Sequence, residues 1–240
     1  MSRSVDEPIP RRDHCARAWR PLLGLFAVLL LLPTSARAQD ASEPIDPGAI
    51  GVAHLRPESG RQAECLSSRF LRVLARQTGW AVRESVASVG VLEERLDGYA
   101  VAILSQAGAY ELTSHELGAL RHWLDTGGSL VVTGPCGPGD WLVSAERTIA
   151  RLYPDQPPAD LEHDHPLFHA LYDLGPPVQT NGQPGVVRAI ERDGRPVLLF
   201  SPAGLNDTDG AGGGCCCCGG VELRDAHHLL ANFIVLTIWP

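Results

Sequence analysis

The chain has 240 residues, with 20 arginines, no lysine, 28 acidic residues and a net charge of −8. Six of the arginines and only three acids lie in residues 1–38, which leaves residues 39–240 at −11. An acidic body without a basic patch excludes nucleic acid and anionic membrane surfaces as partners. A length of about 200 residues beyond the first 38 suits one domain with a well-buried core.

Arg3, Arg11, Arg12, Arg17 and Arg20 precede an apolar run of 11 residues, Leu22 to Leu32, which Pro33 ends and Ala36-Arg37-Ala38 follows. A positive start, a short apolar run and a small-x-small site are the three parts of a secretory signal peptide. The run is too short for a spanning helix, which needs roughly 20 residues. The expectation is a signal peptide at 1–38, cleaved between Ala38 and Gln39, and an exported product, periplasmic or secreted, without a membrane span. Residues 39–48, polar with two prolines, read as a flexible leader, and 49–240 as a single α/β domain. Cys15 precedes the apolar run and leaves with the signal.

Ala49 to Leu55 is a short apolar run, read as a first strand. From Arg61 to Thr78 the residues Leu66, Phe70, Leu71, Val73 and Leu74 recur at helical spacing, and Gly79 follows as a stop. Trp80 to Val86 alternates as a second strand. The continuous apolar run Tyr99 to Leu104 suits a strand buried on both faces. Thr113-Ser114-His115-Glu116 before Leu117, Leu120, Trp123 and Leu124 has the form of a helix N-terminus. Gly127-Gly128 stops that helix before a strand at Leu130 to Thr133. Strand, helix and strand at this spacing make a βαβ unit and hence a parallel sheet.

Trp141 to Leu152 reads as a further helix, and residues 154–166, rich in Pro, Asp and His, as a loop. Val186 to Glu191 and Pro196 to Ser201 flank Arg192-Asp193-Gly194-Arg195, and Asp-Gly between apolar runs signals a late β-hairpin. Residues 202–220 are rich in Gly, Asp and Cys and read as a stretch that packs no core. Val221 to Trp239 closes the chain as an apolar helix. The fold class expected is α/β, a doubly wound, mostly parallel sheet flanked by helices.

The stretch LDGYAVAILSQAGAYELTSHELGALRHWLDTGGSLVVTG, residues 96–134, resembles the class I glutamine-amidotransferase-like fold, related in layout to flavodoxin-like sheets. Arg151-Leu152-Tyr153-Pro154-Asp155 and the segment from Asp164-His165-Pro166-Leu167-Phe168 to Asp173 resemble the R-x-x-FPD and DHP-[IL]-[FY] motifs of the bacterial domain-of-unknown-function family 4159. The similarity covers most of 49–239. It implies a doubly wound sheet and carries no particular activity. In that family acidic residues and Cys-Cys-Gly often follow the strand that here ends at Thr133. This chain has Gly134-Pro135-Cys136-Gly137, so the acids are missing and any chemistry resting on them is not implied.

Cys136 follows a strand and precedes a helix, where open α/β sheets bind ligands and where helix N–H groups lower a thiol's pKa. It is the one candidate catalytic residue, set against a structural or disulfide-bonded thiol. A Cys nucleophile needs a His base, and only His227 and His228 come late enough, without an acidic pattern around them. His163, Asp164, His165 and His169 form the densest imidazole cluster. They could hold a divalent metal such as zinc, or Asp164 could cap a helix begun by Pro166 while His165 packs. Cys65, Cys136 and the run Cys215, Cys216, Cys217 and Cys218 make six cysteines after cleavage, an even set for an oxidising compartment. Pairing of the run with Cys136 and Cys65, a metal shared with distant residues, and no role at all remain open for it.

Two functions compete. One is an exported, non-enzymatic binding or accessory module of the cell envelope, without a cofactor, its partner an envelope protein or small ligand. The other is a hydrolase or amidase using Cys136 or a metal at His165.

Overall fold

The computed structural model describes residues 48–211 and 221–239. The expected signal and nearly all of the leader, and the run Cys215 to Cys218, lie outside these residues.

In chain order the elements are β1 (Val52–Arg56), α1 (Arg69–Thr78), β2 (Ala87–Gly90), β3 (Val101–Ser105), α2 (Ser114–Asp125), β4 (Ser129–Thr133), α3 (Asp140–Leu152), β5 (Ala159–Asp160), β6 (Arg188–Arg192), β7 (Arg195–Phe200), α4 (Thr208–Ala211) and α5 (Ala226–Ile238). Seven strands form one sheet in the order β2-β1-β3-β4-β7-β6-β5. The pairs β1–β2, β1–β3, β3–β4 and β4–β7 are parallel, whereas β6–β7 and β5–β6 are antiparallel. The fold is therefore α/β, a mostly parallel sheet with a late antiparallel hairpin. The winding reverses between β1 and β3, which is where doubly wound sheets open a crevice at the carboxyl ends of the strands.

Alternation along the strands divides the core between two faces. Leu55, Ala102, Leu104, Leu130, Val132 and Leu198 pack with Leu120 and Trp123 of α2 and Ile149 of α3. Val52, Val101, Ile103, Val131 and Leu199 pack with Leu71 and Leu74 of α1 and Leu230 and Phe233 of α5. Both faces are covered, which is why the strands read as unbroken apolar runs rather than alternating ones. No described helix is long and apolar enough to cross a membrane.

Local chemistry sets the element ends. Thr113 and Glu116 form a reciprocal capping box at the start of α2. The Glu116 carboxylate is fully buried because it also accepts from the Glu58 backbone N–H at 2.7 Å. Asp193 and Gly194, with φ of 53° and 74°, form the left-handed pair that a two-residue hairpin between twisted strands requires.

Three expectations need correction. The helix expected from Arg61 begins only at Arg69, because the preceding backbone serves the sheet edge: Ala63 N–H donates to Ser105 O at 3.0 Å and Ser67 N–H to Asn206 O at 2.9 Å. The second strand is Ala87–Gly90 rather than Trp80 to Val86. In the earlier stretch Val82 bridges to Ile50 and Trp80 stacks on Trp239 at 6.1 Å. The third concerns residues 202–211, where Leu205, Asn206 and Thr208 are completely buried.

Leu104 is fully buried at the centre of the α2/α3 face. Leu104→Ala should lower the unfolding free energy by about 2–5 kcal/mol, measured as a shifted urea midpoint at unchanged slope.

Candidate functional site

The parallel strands β1, β3, β4 and β7 end on one edge of the sheet, at Arg56, Ser105, Thr133 and Phe200. On the α1/α5 face the apolar series changes to polar near that edge: His54, Ser105 and Thr133 are buried beside apolar neighbours, as is Ser201 just past β7. Burial leaves such groups unsatisfied unless protein partners replace water. The segment 203–208 supplies many of these partners. Leu205 N–H donates to Thr133 Oγ1 at 2.7 Å, and Ser105 Oγ donates to Asn206 Oδ1 at 2.9 Å. His54 Nε2–H donates to Ser105 O at 3.0 Å. Gly204 makes the close approach possible, since with φ of 90° a Cβ there would lie 2.5 Å from Gly134 O.

The next residue outward is a charge. Asp207 is 8% exposed at its side chain and has φ of 52°. Its Oδ2 accepts from Arg69 Nε at 3.0 Å, and its Oδ1 from Arg69 Nη2. Arg69 Nη2 also approaches His227 Nδ1 at 3.1 Å, and that nitrogen is 3.6 Å from Asp207 Oδ1. Burial alone would raise the Asp207 pKa, but the His227 ring 3.6 Å away and the bonds from Arg69 and Ser67 bring it below the usual carboxylate value. Glu222 differs: burial raises its pKa despite the bonds that Thr208 N–H and Oγ1 donate to Oε1, each 2.8 Å long. The His54 pKa is lowered by burial against the opposing effect of the Ser105 carbonyl.

Sequence reasoning missed Arg69 and Asp207, and it left His227 without an acidic partner. One signal was present. Arg69 is the first residue of α1, where a cation opposes the positive end of the helix dipole. An arginine placed there calls for an anion from elsewhere in the chain.

Cys136 stands where the sequence places it, between β4 and α3, with a left-handed φ of 57°. The next residue, Gly137, donates its N–H to Ala203 O at 3.1 Å, so this turn borders the same covering segment. Cys65 lies two residues before Ser67, whose N–H donates to Asn206 O of that segment at 2.9 Å. Both cysteines engage a partner and neither stands free.

The imidazole cluster lies elsewhere. His165 Nε2–H donates to Glu191 Oε1 at 3.0 Å, and Glu191 pairs with Pro196 at the start of β7. Cys136 adjoins residues just past the end of β7, so the two candidate sites occupy opposite ends of that strand. Only Pro166–Phe168 is helical, a 3-10 turn, so His165 and His169 share no helix face. The cap is His165 itself, whose Nδ1 accepts from Leu167 N–H at 3.1 Å, and not Asp164. His163 Nε2–H donates to Leu174 O at 2.8 Å. His169 donates from both ring nitrogens, to Asp173 Oδ1 at 2.5 Å and to His163 O at 2.9 Å, an imidazolium arrangement without a lone pair for a metal. The bond to Asp173 is the chief cause of its raised pKa. Among the described residues no group of three or more His, Cys, Asp or Glu side chains could hold a metal ion.

A doubly wound sheet whose carboxyl edge is closed by the Arg69–Asp207 ion pair and a buried polar layer defines the molecule as an α/β domain. The chain belongs to the family described as a domain of unknown function (DUF4159), whose model matches residues 53–209. The match takes in Arg69 and Asp207 and ends before His227. No curated protein matches the chain.

Stability should respond to pH through His54. Its pKa is lower in the folded chain than in the unfolded one, so its contribution is present above about pH 6.5 and is lost as pH falls, at no more than about 1.4 kcal/mol per pH unit. His54→Gln keeps a donor for Ser105 O and should remove that component from the acid limb of a pH series of denaturant midpoints. Asp207→Ala should destabilise by about 2–3 kcal/mol, less than a fully buried pair would cost, because the Arg69 side chain is 38% exposed. Urea unfolding of Asp207→Ala alongside Asp207→Ala/Arg69→Ala checks this, the double variant recovering part of the loss.

Proposed function

We propose that this chain is an exported, non-enzymatic α/β module that binds an envelope protein or small ligand. The observation that carries the reading is that the polar groups at the carboxyl edge are spent largely on one another. Ser105, Thr133, Asn206, Asp207 and Arg69 hold the covering segment in place, and the ring nitrogens of His165 have structural partners. Beside the first turn of α5 lies a cleft of about 290 Å³ walled by Phe168, Leu174, Pro176, Pro177, Leu223 and Leu229. Its size is near the lower end of preformed small-molecule sites, and it suits an apolar group better than a reacting polar one.

Export supplies the compartment for the cysteines. We assign Cys65 and Cys136 to disulfides with members of the Cys215 to Cys218 run. The described chain leaves for that run from α4, where a Cβ on Gly210 would come 2.7 Å from Ser67 Oγ. It returns at Val221, whose carbonyl oxygen would lie 2.9 Å from a Cβ on Gly137. The described residues on either side of the run thus approach Ser67 and Gly137, neighbours in sequence of the two single cysteines. Each bond forms by thiol–disulfide exchange, the two thiols giving two protons and two electrons to a disulfide oxidant of the compartment.

Protein isolated from the periplasm tests the reading. Mass spectrometry should find an N-terminus at Gln39 and, without reductant, Cys65 and Cys136 linked to the peptide holding 215–218. Metal analysis should find no stoichiometric ion, and a thiol-alkylating probe should leave Cys136 unlabelled. Six free thiols would reject the disulfides. Stoichiometric metal lost on His165→Ala, or selective labelling of Cys136, would replace the binding module with the hydrolase.

A further inference from the structure

We propose that Arg69, Asp207 and His227 form a proton-operated latch between α1 and α5. A guanidinium can only donate hydrogen bonds. The 3.1 Å contact from Arg69 Nη2 to His227 Nδ1 therefore requires a lone pair on Nδ1, and a neutral ring with its proton on Nε2. Asp207 Oδ1 waits 3.6 Å from the same Nδ1, just outside hydrogen-bond reach. A proton added to Nδ1 removes the acceptor that Arg69 uses and creates a donor facing a carboxylate. One nitrogen thus exchanges partners, from Arg69 when neutral to Asp207 when charged. The ion pair itself survives the exchange, because Arg69 Nε still donates to Asp207 Oδ2 at 3.0 Å.

The surroundings favour a single-proton device. From α1 the ring faces Arg69, and from the covering segment Asp207. On its own helix the His228 ring is 4.0 Å away, with Tyr172 at 4.2 Å from His228 and Asp225 at the N-cap. Beyond Asp207 lie Glu222 and Asp209, whose charges interact with one another. Burial first, and then the neighbouring His227 and Arg69, lower the His228 pKa. His227 is the second residue of α5, and Ala226 and Leu229 of the same turn wall the apolar cleft. The partner exchange therefore acts on the wall of that cleft, whatever the cleft holds.

Long-range ¹⁵N–¹H spectra of the ¹⁵N-labelled full-length protein between about pH 8 and pH 5, the range in which imidazoles change charge, test the latch. At the upper end His227 Nδ1 should resonate as a lone-pair nitrogen, and it should shift to a protonated one as pH falls. The Arg69 Nε–H and the Ala226 and Leu229 amides should shift with the same midpoint. In His227→Asn, whose amide oxygen accepts from Arg69 without titrating, those three shifts should be lost, while His228→Gln should keep them. A protonated Nδ1 at the upper end would overturn the latch, as would an unchanged Arg69 response in His227→Asn. If His227→Asn fails to fold, the wild-type tautomer decides alone. Loss of the response in His228→Gln would move the switch to that residue and overturn the assignment.

Discussion

The carboxylate of Asp207 is the buried charge on which the carboxyl edge depends. Arg69 begins α1 against the helix dipole, an arrangement that costs free energy unless an anion stands nearby. Asp207 supplies it from a position 138 residues away, in left-handed backbone that a non-glycine residue adopts only when its surroundings compel it. Fixing Asp207 also fixes its neighbours. Leu205 N–H then reaches Thr133, Asn206 reaches Ser105, and Thr208 reaches Glu222. Segments far apart in the chain meet at this one place.

That closure follows from the parity of the sheet. Successive side chains alternate between faces, so the residues that end β3 and β4 on the α1/α5 face continue the series of Val101, Ile103 and Val131. At the end of the apolar series a large hydrophobic residue would sit under two helix starts. Ser105 and Thr133 sit there instead and answer the backbone of the covering segment. The polar layer is thus a lining between an apolar core and a charged lid, and each of its hydrogen bonds is stronger for being away from water.

Much of the fold was legible because it rests on local signals. The capping box of α2, the Asp-Gly hairpin turn and the doubly buried strands each depend on neighbours within a few residues, and all three can be read from the sequence. The family segments were legible as well. Asp207 was not, because its partner is remote and its setting, Leu-Asn-Asp-Thr-Asp-Gly before a glycine run, has the composition of a loop. Composition reports what a segment could do alone, whereas the burial of Asn206 and Thr208 depends on the strand ends beneath them. The same limit moved the start of α1. Its helical spacing extends back toward Arg61, but Ala63 and Ser67 lend their N–H groups to Ser105 and Asn206, and a backbone so engaged cannot also form a helix.

The two segments that carry the family resemblance act at the other end of β7. The Tyr153 ring receives Arg192 at 5.3 Å. Gln156 Nε2 donates to Glu191 O at 3.1 Å, and His165 Nε2 donates to the Glu191 carboxylate. Both segments therefore grip β6, one through Arg192 and the Glu191 backbone, the other through the Glu191 side chain. Beyond β6 the sheet ends in the two exposed residues of β5, where Arg188 pairs with Asp160 at 2.7 Å. A short, charged last strand discourages further strand addition, but it also contributes little to holding β6 in place. The grip by Tyr153, Gln156 and His165 supplies what β5 cannot. His165, a candidate metal ligand in the sequence, is explained by that need, and the Arg69–Asp207 ion pair stands at the opposite edge of the sheet.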